Sequence, residues 1–211
     1  MEKIALFGGT GRTGRLFLAK AVEAGHQIRL LARSPEKVTV RGDQVEVIQG
    51  DVLHPDDVAK AIAGSTQVVS LFGHVKGSPA GLQTQGTQNI VQAMQDHQVS
   101  RIISLSGGGL PFEHDAPKFA DKAIRFIMSI FAKKILDDAI QHAEVLKKSD
   151  LDWTIVRGPR LTDGAEKGAY RVSWIDQKSG TAISRADLAN FLIKLVEEPA
   201  YHQEMPFVAY P

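Results

Sequence analysis

A glycine-rich turn near the start of the chain is the first feature whose residues could do chemistry. Residues 4–14 read Ile-Ala-Leu-Phe-Gly-Gly-Thr-Gly-Arg-Thr-Gly, so that Gly8, Gly11 and Gly14 have the spacing G-x-x-G-x-x-G. An apolar run precedes the turn and a segment of helical spacing follows it, so the turn joins a strand to a helix. Glycine permits a tight turn at Gly8, the approach of a pyrophosphate at Gly11 and close helix packing at Gly14. The turn therefore predicts a dinucleotide site in which helix N–H groups face the phosphates.

Polar side chains inside the turn extend this prediction. Thr10 and Thr13 could add hydroxyl donors to the phosphates. Neither Lys-Ser nor Lys-Thr follows the glycines, unlike in the phosphate-binding loop of nucleoside triphosphatases. Hydrolysis of ATP or GTP is therefore not expected.

The residues after the second predicted strand indicate which dinucleotide is bound. An NAD site usually has Asp or Glu there, about 20 residues beyond the glycine turn. Residues 29–34 read Arg-Leu-Leu-Ala-Arg-Ser and contain no carboxylate. The guanidinium of Arg33 suits a phosphate, with Ser34 beside it, and Arg12 could clamp the same group from the other side. We therefore expect NADP rather than NAD; the alternative is that both arginines are solvated surface charges.

Two later strand ends carry further candidate residues. Asp51 and Val52 follow the third predicted strand, and Leu71, Phe72 and Gly73 end the fourth. The carboxylate of Asp51 could accept from the adenine amino group, or the residue could serve only the turn. The ring of Phe72 could pack against adenine or ribose, or belong to the core. Ligands of open α/β sheets bind at these carboxyl ends.

The elements that must position these residues alternate between strands and helices. The predicted strands are Ile4–Phe7, Ile28–Leu31, Val45–Ile48, Val68–Phe72, Ile102–Leu105 and Trp153–Val156, with a possible strand at Tyr170–Ile175. The predicted helices are Arg15–Ala24, Pro55–Ala63, Gly86–His97, a long helical region from about Phe119 to Lys148, and Ser184–Val196, with Ser184 as N-cap. Apolar strands alternating with helices predict an α/β fold: a Rossmann-like, doubly wound parallel sheet with helices on both faces. We expect a single domain over 1–211, with residues 107–211 contributing most of the acceptor side.

Composition excludes several classes of protein. The chain has 211 residues, 25 basic and 24 acidic, giving a net charge of +1, and it has no cysteine. A nucleic-acid binder that works by bulk charge and a cysteine-ligated metal site are therefore not expected. The seven histidines show no metal-binding spacing, so no metal is expected. No run reaches the roughly 20 apolar residues of a membrane span, and we predict a cytoplasmic protein with no membrane partner.

Several segments together resemble the atypical short-chain dehydrogenase/reductase family, and within it the small NAD(P)H-binding proteins similar to biliverdin reductase B, or flavin reductase. The resembling segments are the turn at Gly8–Gly14, Gly50–Val52, Gly86–Val91, Ser104–Ser106, Leu151–Pro159 and Ile183–Ala189. The resemblance implies a Rossmann-like fold, NAD(P)H binding and hydride transfer to a flavin, a linear tetrapyrrole or a quinone-like acceptor.

The acid–base pair of most short-chain dehydrogenases is absent from this sequence. None of the three tyrosines, Tyr170, Tyr201 and Tyr210, has Lys four residues later. Gln141 stands roughly where related proteins often have the lysine. Alcohol–ketone chemistry by that pair is therefore not expected, whereas a reductase whose nicotinamide supplies the hydride needs less from the protein.

Each candidate residue on the acceptor side has two possible interpretations. Ser104 and Ser106 end the fifth strand, near the expected nicotinamide. Ser106 could orient nicotinamide or substrate, or be an ordinary strand-end hydroxyl. Arg160 stands where the subgroup's loop carries a histidine, and could bind an anionic substrate group or lie on the surface.

His142 is expected to be a solvated helical residue rather than to face the cleft. An apolar stripe is expected in the core, or else at the acceptor pocket or a dimer face: Phe126, Ile127, Ile130 and Phe131.

These observations favour an NADPH-dependent reductase acting on a small-molecule acceptor. The alternative is an NADP-binding redox sensor or regulatory protein without turnover. Such a protein would not need the acid–base pair either. A nucleotide-sugar epimerase or dehydratase ranks last, because that class usually retains the tyrosine. The sequence leaves open both a monomer and a dimer.

Overall fold

Strands of the apolar, β-branched type predicted from the sequence form one eight-stranded sheet. The computed structural model describes residues 1–118, 132–176 and 178–211. The strands are β1 (Lys3–Phe7), β2 (Gln27–Ala32), β3 (Val45–Gln49), β4 (Gln67–Ser70), β5 (Arg101–Gly107), β6 (Asp152–Gly158), β7 (Arg160–Thr162), β8 (Arg171–Ser173), β9 (Ala182–Ser184) and β10 (Phe207–Ala209). The sheet order is β3-β2-β1-β4-β5-β6-β10-β8, and β7 pairs with β9 in a separate two-stranded sheet.

The strands β1 to β6 and β10 run parallel, and the edge strand β8 is antiparallel to β10. The described helices are α1 (Arg12–Glu23), α2 (Pro55–Ile62), α3 (Leu82–Asp96), α4 (Lys133–Lys147) and α5 (Arg185–Glu197). A short 3-10 turn covers Pro35–Lys37. From β1 the chain continues to β2 and β3 on one side of the sheet, and then crosses to β4 on the other side of β1. The strand order therefore reverses at β1. Ligands bind at such a switch point, outside the carboxyl ends of the strands.

Each face of the sheet carries its own core. Apolar residues of α1 and α5 pack on one face, with Phe17 and Leu192 fully buried. Residues of α2, α3 and α4 pack on the other face, with Ile62 and Met94 fully buried. Helices therefore cover both faces, and the prediction of a doubly wound Rossmann-like fold is confirmed.

The strand bounds agree with the predicted ones to within about two residues, with β4 ending at Ser70 rather than at Phe72, and some helix bounds differ more. Helix α1 begins at Arg12 rather than at Arg15, and α3 begins at Leu82 rather than at Gly86. Gly86 lies inside α3 as a packing position, so it does not mark the start of the helix. Three short strands, β7, β9 and β10, have no signal in the sequence, since three residues show no periodicity. Of the long predicted helix, α4 covers the last part; residues 119–131, including Phe126, Ile127, Ile130 and Phe131, lie outside the described residues.

Helix α5 starts as the sequence predicts. Ser184 is its N-cap, and the Ser184 hydroxyl accepts a hydrogen bond from the N–H of Asp187. The Asp187 carboxylate accepts N–H bonds from Lys167 and Gly168 and the hydroxyl of Tyr210. Burial raises the pKa of Asp187, but these hydrogen bonds, led by the one from Tyr210, outweigh burial and keep it below its usual value. This buried carboxylate therefore ties the C-terminal segments to α5.

No helix in the three described ranges is long and apolar enough to cross a membrane.

Candidate functional site

A cleft opens at the carboxyl ends of β1 to β4, at the switch point of the sheet. It is lined by Phe7, Gly8, Thr10, Leu31, Ala32, Arg33, Ser34, Lys37, Gly50, Asp51, Val52, Phe72, Gly73 and Leu82. The structure thus brings together eight of the residues singled out from the sequence: Gly8, Thr10, Arg33, Ser34, Asp51, Val52, Phe72 and Gly73.

The glycine turn forms one wall of the cleft and has the backbone that its sequence requires. Gly8 has φ +82°, and a Cβ there would lie 2.5 Å from the backbone nitrogen of Phe72. The N–H of Gly11 donates to the carbonyl of Gly8 at 3.0 Å. A Cβ on Gly14 would collide with the Gly8 carbonyl oxygen and lie 2.7 Å from the Cα of Gly9. Glycine at these positions lets α1 begin directly behind the turn, with its free N–H groups at the cleft.

The end of β2 presents two cations at the cleft. Arg33 follows β2 directly, and Lys37 ends the 3-10 turn that Ser34 precedes. Both side chains are exposed, and neither makes a hydrogen bond or ion pair within the described part of the chain. Cations without partners can bind an anion without first losing a contact. Sequence reasoning missed Lys37, although the proline after Ser34 is typical of a turn that would bring it back towards Arg33.

The ring of Phe72 is held in place on the opposite side of the cleft. A Cβ on Gly86 of α3 would lie 2.8 Å from Cζ of Phe72 and 3.0 Å from Cγ2 of Val52. The amide of Asn89 donates to the Val52 carbonyl at 2.9 Å. The ring packs against the core and also lines the cleft, and its contact with adenine or ribose stays a prediction.

Asp51 serves the turn and also lines the cleft, while its contact with adenine stays a prediction. Its Oδ1 accepts the N–H of Leu53 at 3.0 Å, which makes it a turn residue. Its own N–H donates to Asp57 at 3.1 Å. The residue also lines the cleft. The carboxylate can therefore accept from a ligand while it keeps the turn closed.

Arg12 does not meet Arg33 across the cleft. The Arg12 guanidinium pairs with Asp163, which also accepts a hydrogen bond from Arg185 at 2.8 Å. Asp163 follows β7 and therefore lies on the β6 side of the sheet, whereas Arg33 lies on the β2 side. Without a ligand, Arg12 therefore pairs with a carboxylate rather than facing Arg33, and a shared clamp by the two arginines stays a prediction. Thr13 is buried in the first turn of α1.

Two other candidate cofactor residues lie away from the cleft lining. Leu71 packs against the core on the α1 and α5 face. Ser104 is 1% exposed, and its hydroxyl lies 3.2 Å from Nε2 of His142. Their contacts with a cofactor stay predictions.

His142 is also corrected, because it is not solvated. It is 2% exposed, and its Nδ1 lies 2.8 Å from the hydroxyl of Thr87. Burial lowers the pKa of His142 to about 4, against an opposing influence of the charge on Asp138. The imidazole is therefore neutral at pH 7 and links α4 to α3 and β5.

Ser106 and Arg160 lie at the same edge of the sheet, as expected. Ser106 is buried, and its hydroxyl has no hydrogen-bond partner in the described ranges. Arg160 begins β7 and is exposed. Their roles toward an acceptor stay predictions.

A buried ion pair at the end of β6 was missed by sequence reasoning. Arg157 is 0% exposed, and its guanidinium donates two hydrogen bonds to Asp115, at 2.7 and 2.8 Å. The same guanidinium also donates to the carbonyls of Leu110 and Met205. Burial raises the pKa of Asp115, but the hydrogen bonds and charge of Arg157 outweigh burial and hold it below its usual value. The pair fixes the loop after β5 against β6.

A second buried pair lies immediately beside the cleft. His74 follows Gly73, and its Nε2 lies 2.6 Å from Oδ2 of Asp138 on α4. No sequence motif connects the two residues, which are 64 positions apart.

Comparison with known proteins identifies the family. Residues 8–199 match the model of a family described as NAD(P)H-binding. The chain belongs to this NAD(P)H-binding family. The expectation of a nicotinamide dinucleotide as cofactor is therefore confirmed. The cleft fits such a ligand, because the turn brings backbone close at Gly8 and Gly14. Two cations that have no partner among the described residues also face the cleft from the end of β2.

Curated relatives are distant. Averufin oxidase A of Aspergillus flavus is 25% identical over 213 residues, covering 89% of this chain and 75% of the relative. The photosystem II assembly factor Ycf39 of Cyanophora paradoxa is 23% identical over 219 residues, covering 97% of this chain and 63% of the relative. Another relative, from Arabidopsis thaliana, is described as chloroplastic, so the cytoplasmic location stays a prediction.

Solved structures share the fold over the whole chain. A short-chain dehydrogenase/reductase from Veillonella parvula, in complex with NADP, has a TM-score of 0.79 at 19% identity, covering 100% of this chain and 95% of that one. The anaerobilin reductase ChuY from Escherichia coli O157:H7 has a TM-score of 0.80 at 20% identity, covering 100% and 98%. These structures confirm the Rossmann-like fold, and the family match confirms the NAD(P)H-binding part of the resemblance.

Proposed function

We propose that the protein is an NADPH-dependent reductase that delivers hydride to a flavin-like, tetrapyrrole or quinone-like small molecule. The observation that carries the NADPH part is the exposure of two cations at the end of β2, Arg33 and Lys37, which have no partner in the part of the chain that the structure describes. Residues 29–34 contain no carboxylate that would bind the ribose hydroxyls of NAD. Two cations at that position favour a ribose that carries a phosphate.

The remaining cleft residues have roles consistent with this cofactor. The N–H groups at the start of α1, with Thr10, would bind the pyrophosphate, to which Gly8 and Gly11 allow close approach. Asp51 and Phe72 would bind the adenine side, one by hydrogen bonding and the other by packing. Ser106 and Arg160 would contact the nicotinamide or acceptor from the ends of β5 and β6.

The acceptor class rests on what the chain lacks and on its relatives. The bound nicotinamide supplies the hydride, so the protein mainly positions an acceptor and keeps water away from it. Tyr-x-x-x-Lys is absent from the sequence, which disfavours alcohol oxidation by that pair. A structural neighbour of the same fold is named an anaerobilin reductase.

The test is NADPH oxidation followed by absorbance, with FMN, riboflavin, biliverdin and a naphthoquinone as acceptors and NADH as the comparison. We expect turnover with at least one acceptor and a preference for NADPH. Tight NADPH binding without turnover on any acceptor would instead support the sensor hypothesis. Faster turnover with NADH would contradict the role given to Arg33 and Lys37.

A further inference from the structure

The segment between β7 and β8 lies along α1, the helix that begins directly after the glycine turn. Residues 163–168 are all exposed. The carboxylate of Asp163 pairs with Arg12, the first residue of α1, and Oε2 of Glu166 accepts from Nζ of Lys20 at 3.1 Å. Lys20 lies about 12 Å further along the helix axis than Arg12. The segment therefore brings one carboxylate to the start of α1 and another well away from it.

The start of α1 attracts an anion and has no acidic residue of its own. Its N-cap is Gly11, which has no side chain to accept the free N–H groups. Its first turn contains Arg12 and Arg15 and no carboxylate. The helix dipole adds partial positive charge at the same end. Asp163, which lies 151 positions away in the chain, therefore supplies the negative charge that this end of α1 lacks.

A dinucleotide cofactor brings phosphates to the same helix end. The chain belongs to an NAD(P)H-binding family, and its glycine turn ends where α1 begins. Phosphates bind at such helix starts because the free N–H groups and the dipole both favour negative charge. A guanidinium is also well suited to a phosphate. Arg12 therefore has two anions within its choice, the carboxylate of Asp163 and a phosphate of the cofactor.

Arg12 can exchange its partner at little cost, because Asp163 has a second arginine. The side chains of Arg12 and Asp163 are 67% and 61% exposed, so water screens their attraction. The side chain of Arg185, the first residue of α5, is only 12% exposed. It donates to Oδ1 of Asp163 at 2.8 Å and to the carbonyl of Leu161 at 3.1 Å. Asp163 therefore keeps Arg185 as its partner when Arg12 turns to a phosphate.

We propose that Asp163 competes with a phosphate of the dinucleotide for Arg12, and thereby weakens cofactor binding and speeds cofactor release. The carboxylate holds the guanidinium that the phosphate needs, and it also repels the phosphate itself. Release of the product limits turnover in many enzymes, so a faster exchange of oxidised for reduced cofactor benefits a reductase. The inference rests on the proposed binding of the cofactor phosphates at the start of α1, and it does not depend on the acceptor.

The experiment compares Asp163→Asn with wild type in titrations with NADPH. Asparagine keeps the size of the side chain and an oxygen for Arg185, but it has no charge. We expect the Kd of NADPH to fall about three- to tenfold, with a similar fall in the rate at which excess NADP displaces bound NADPH. Glu166→Gln removes a carboxylate from the same segment and is the matched control. At about 0.1 M salt, where charges more than about 10 Å apart are largely screened, it should change the Kd by less than about 1.5-fold.

Repeating the comparison in an Arg12→Ala background separates competition for the guanidinium from simple repulsion. Without Arg12 there is nothing to compete for, so Asp163→Asn should lower the Kd by less than about twofold, and the difference between the two gains is the coupling of the residues. Titrations with NADH identify the phosphate. Equal gains for NADPH and NADH support competition with the diphosphate that both contain, and a gain confined to NADPH supports competition with the phosphate on the ribose.

Two results would overturn the role of Asp163. An unchanged or higher Kd in Asp163→Asn would show that the carboxylate does not compete, and an equal gain with and without Arg12 would show repulsion alone. Gly14→Ala distinguishes these results from a failure of the proposed cofactor site. If Gly14→Ala weakens cofactor binding while Asp163→Asn does not strengthen it, only the role of Asp163 is wrong. If Gly14→Ala leaves binding unchanged, the phosphates do not bind at the start of α1, and both proposals fail.

Discussion

At the scale of single residues, the two arginines predicted to bind the phosphate differ in whether their charge is already paired with a carboxylate. The guanidinium of Arg12 forms an ion pair with Asp163. Arg33 and Lys37 have no such partner within the described ranges and line the cleft. A phosphate at Arg33 therefore replaces water, whereas at Arg12 it must compete with a carboxylate.

Replacing Arg33 by alanine should weaken NADPH binding by about 1.5–3 kcal/mol, because a charge-assisted hydrogen bond to the phosphate is lost. NADH, which lacks that phosphate, should lose far less. Lys37→Ala should act in the same direction and more weakly, since an ammonium makes no bidentate contact. Isothermal titration with both cofactors measures this, with exposed Lys148→Ala at the end of α4 as control. Equal losses for NADPH and NADH would contradict the preference for NADP.

Gly14→Ala tests the glycine turn. The added methyl group would collide with the Gly8 carbonyl, and backbone cannot move as cheaply as a side-chain end. We expect an unfolding free energy lower by about 1–3 kcal/mol and weaker binding of NADPH and NADH alike. Gly164→Ala, where a Cβ would meet only the Thr162 hydroxyl at 3.7 Å, should change neither. Denaturant unfolding measures the stability, and cofactor titration measures the affinity. Unchanged stability and affinity in Gly14→Ala would show that the close packing at this glycine is not needed.

At the scale of elements, α4 attaches to its neighbours through polar side chains as well as apolar ones. Asp138 caps the start of α3, and one turn later His142 joins Thr87 of α3 to Ser104 of β5. Buried polar groups with partners set a unique arrangement of helices, since a shift of α4 would leave them unpaired. The wall beside His74 is thus held by hydrogen bonds.

The buried His142 predicts how stability depends on pH. Its pKa is about 4 in the folded state and about 6.5 when unfolded, so the unfolded chain takes up the proton first as pH falls. Stability from this residue is complete above about pH 6.5 and is lost towards pH 4, by about 2 kcal/mol between pH 7 and pH 5. Urea unfolding of His142→Gln should show lower stability throughout and a smaller slope in that range. His97→Gln should keep the wild-type slope; an unchanged slope in His142→Gln would show that His142 is not the source.

At the scale of the whole molecule, the C-terminal third is joined to the sheet by buried carboxylates. Asp115 binds Arg157 of β6 and also the N–H of Ile175. Asp187 binds the segment at 167–168 and Tyr210. These contacts hold loops that have little regular structure over the ends of β5 and β6, where Ser106 and Arg160 lie.

Asp115→Asn should lower the unfolding free energy by about 3–5 kcal/mol, because it leaves the fully buried Arg157 without a counter-charge. Asp163→Asn neutralises a carboxylate that is 61% exposed and pairs with Arg12 and Arg185, and it should cost less than about 1 kcal/mol per exposed pair. Guanidinium unfolding of the two variants makes the comparison. Similar, small losses for both would show that Arg157 can be satisfied by the carbonyls of Leu110 and Met205 alone.

The sequence by itself determined the fold class, the cofactor turn and the cation at the end of β2. Alternating apolar runs and helical spacing act over a few neighbouring residues, and so do the glycines at positions 8, 11 and 14. Arg33 was found for the same reason, since its place relative to the turn is fixed by one strand–helix–strand unit. These features depend on residues close together in the chain, so they can be recognised in a single sequence.

Only the tertiary structure decided which polar groups meet. The partner of Arg12 lies 151 positions away, and those of His74 and Arg157 lie 64 and 42 positions away. The short strands β7 and β10 exist through pairing with distant neighbours, not through their own propensity. The energy of an ion pair or a buried hydrogen bond depends on distance and burial, and packing of the whole chain sets both.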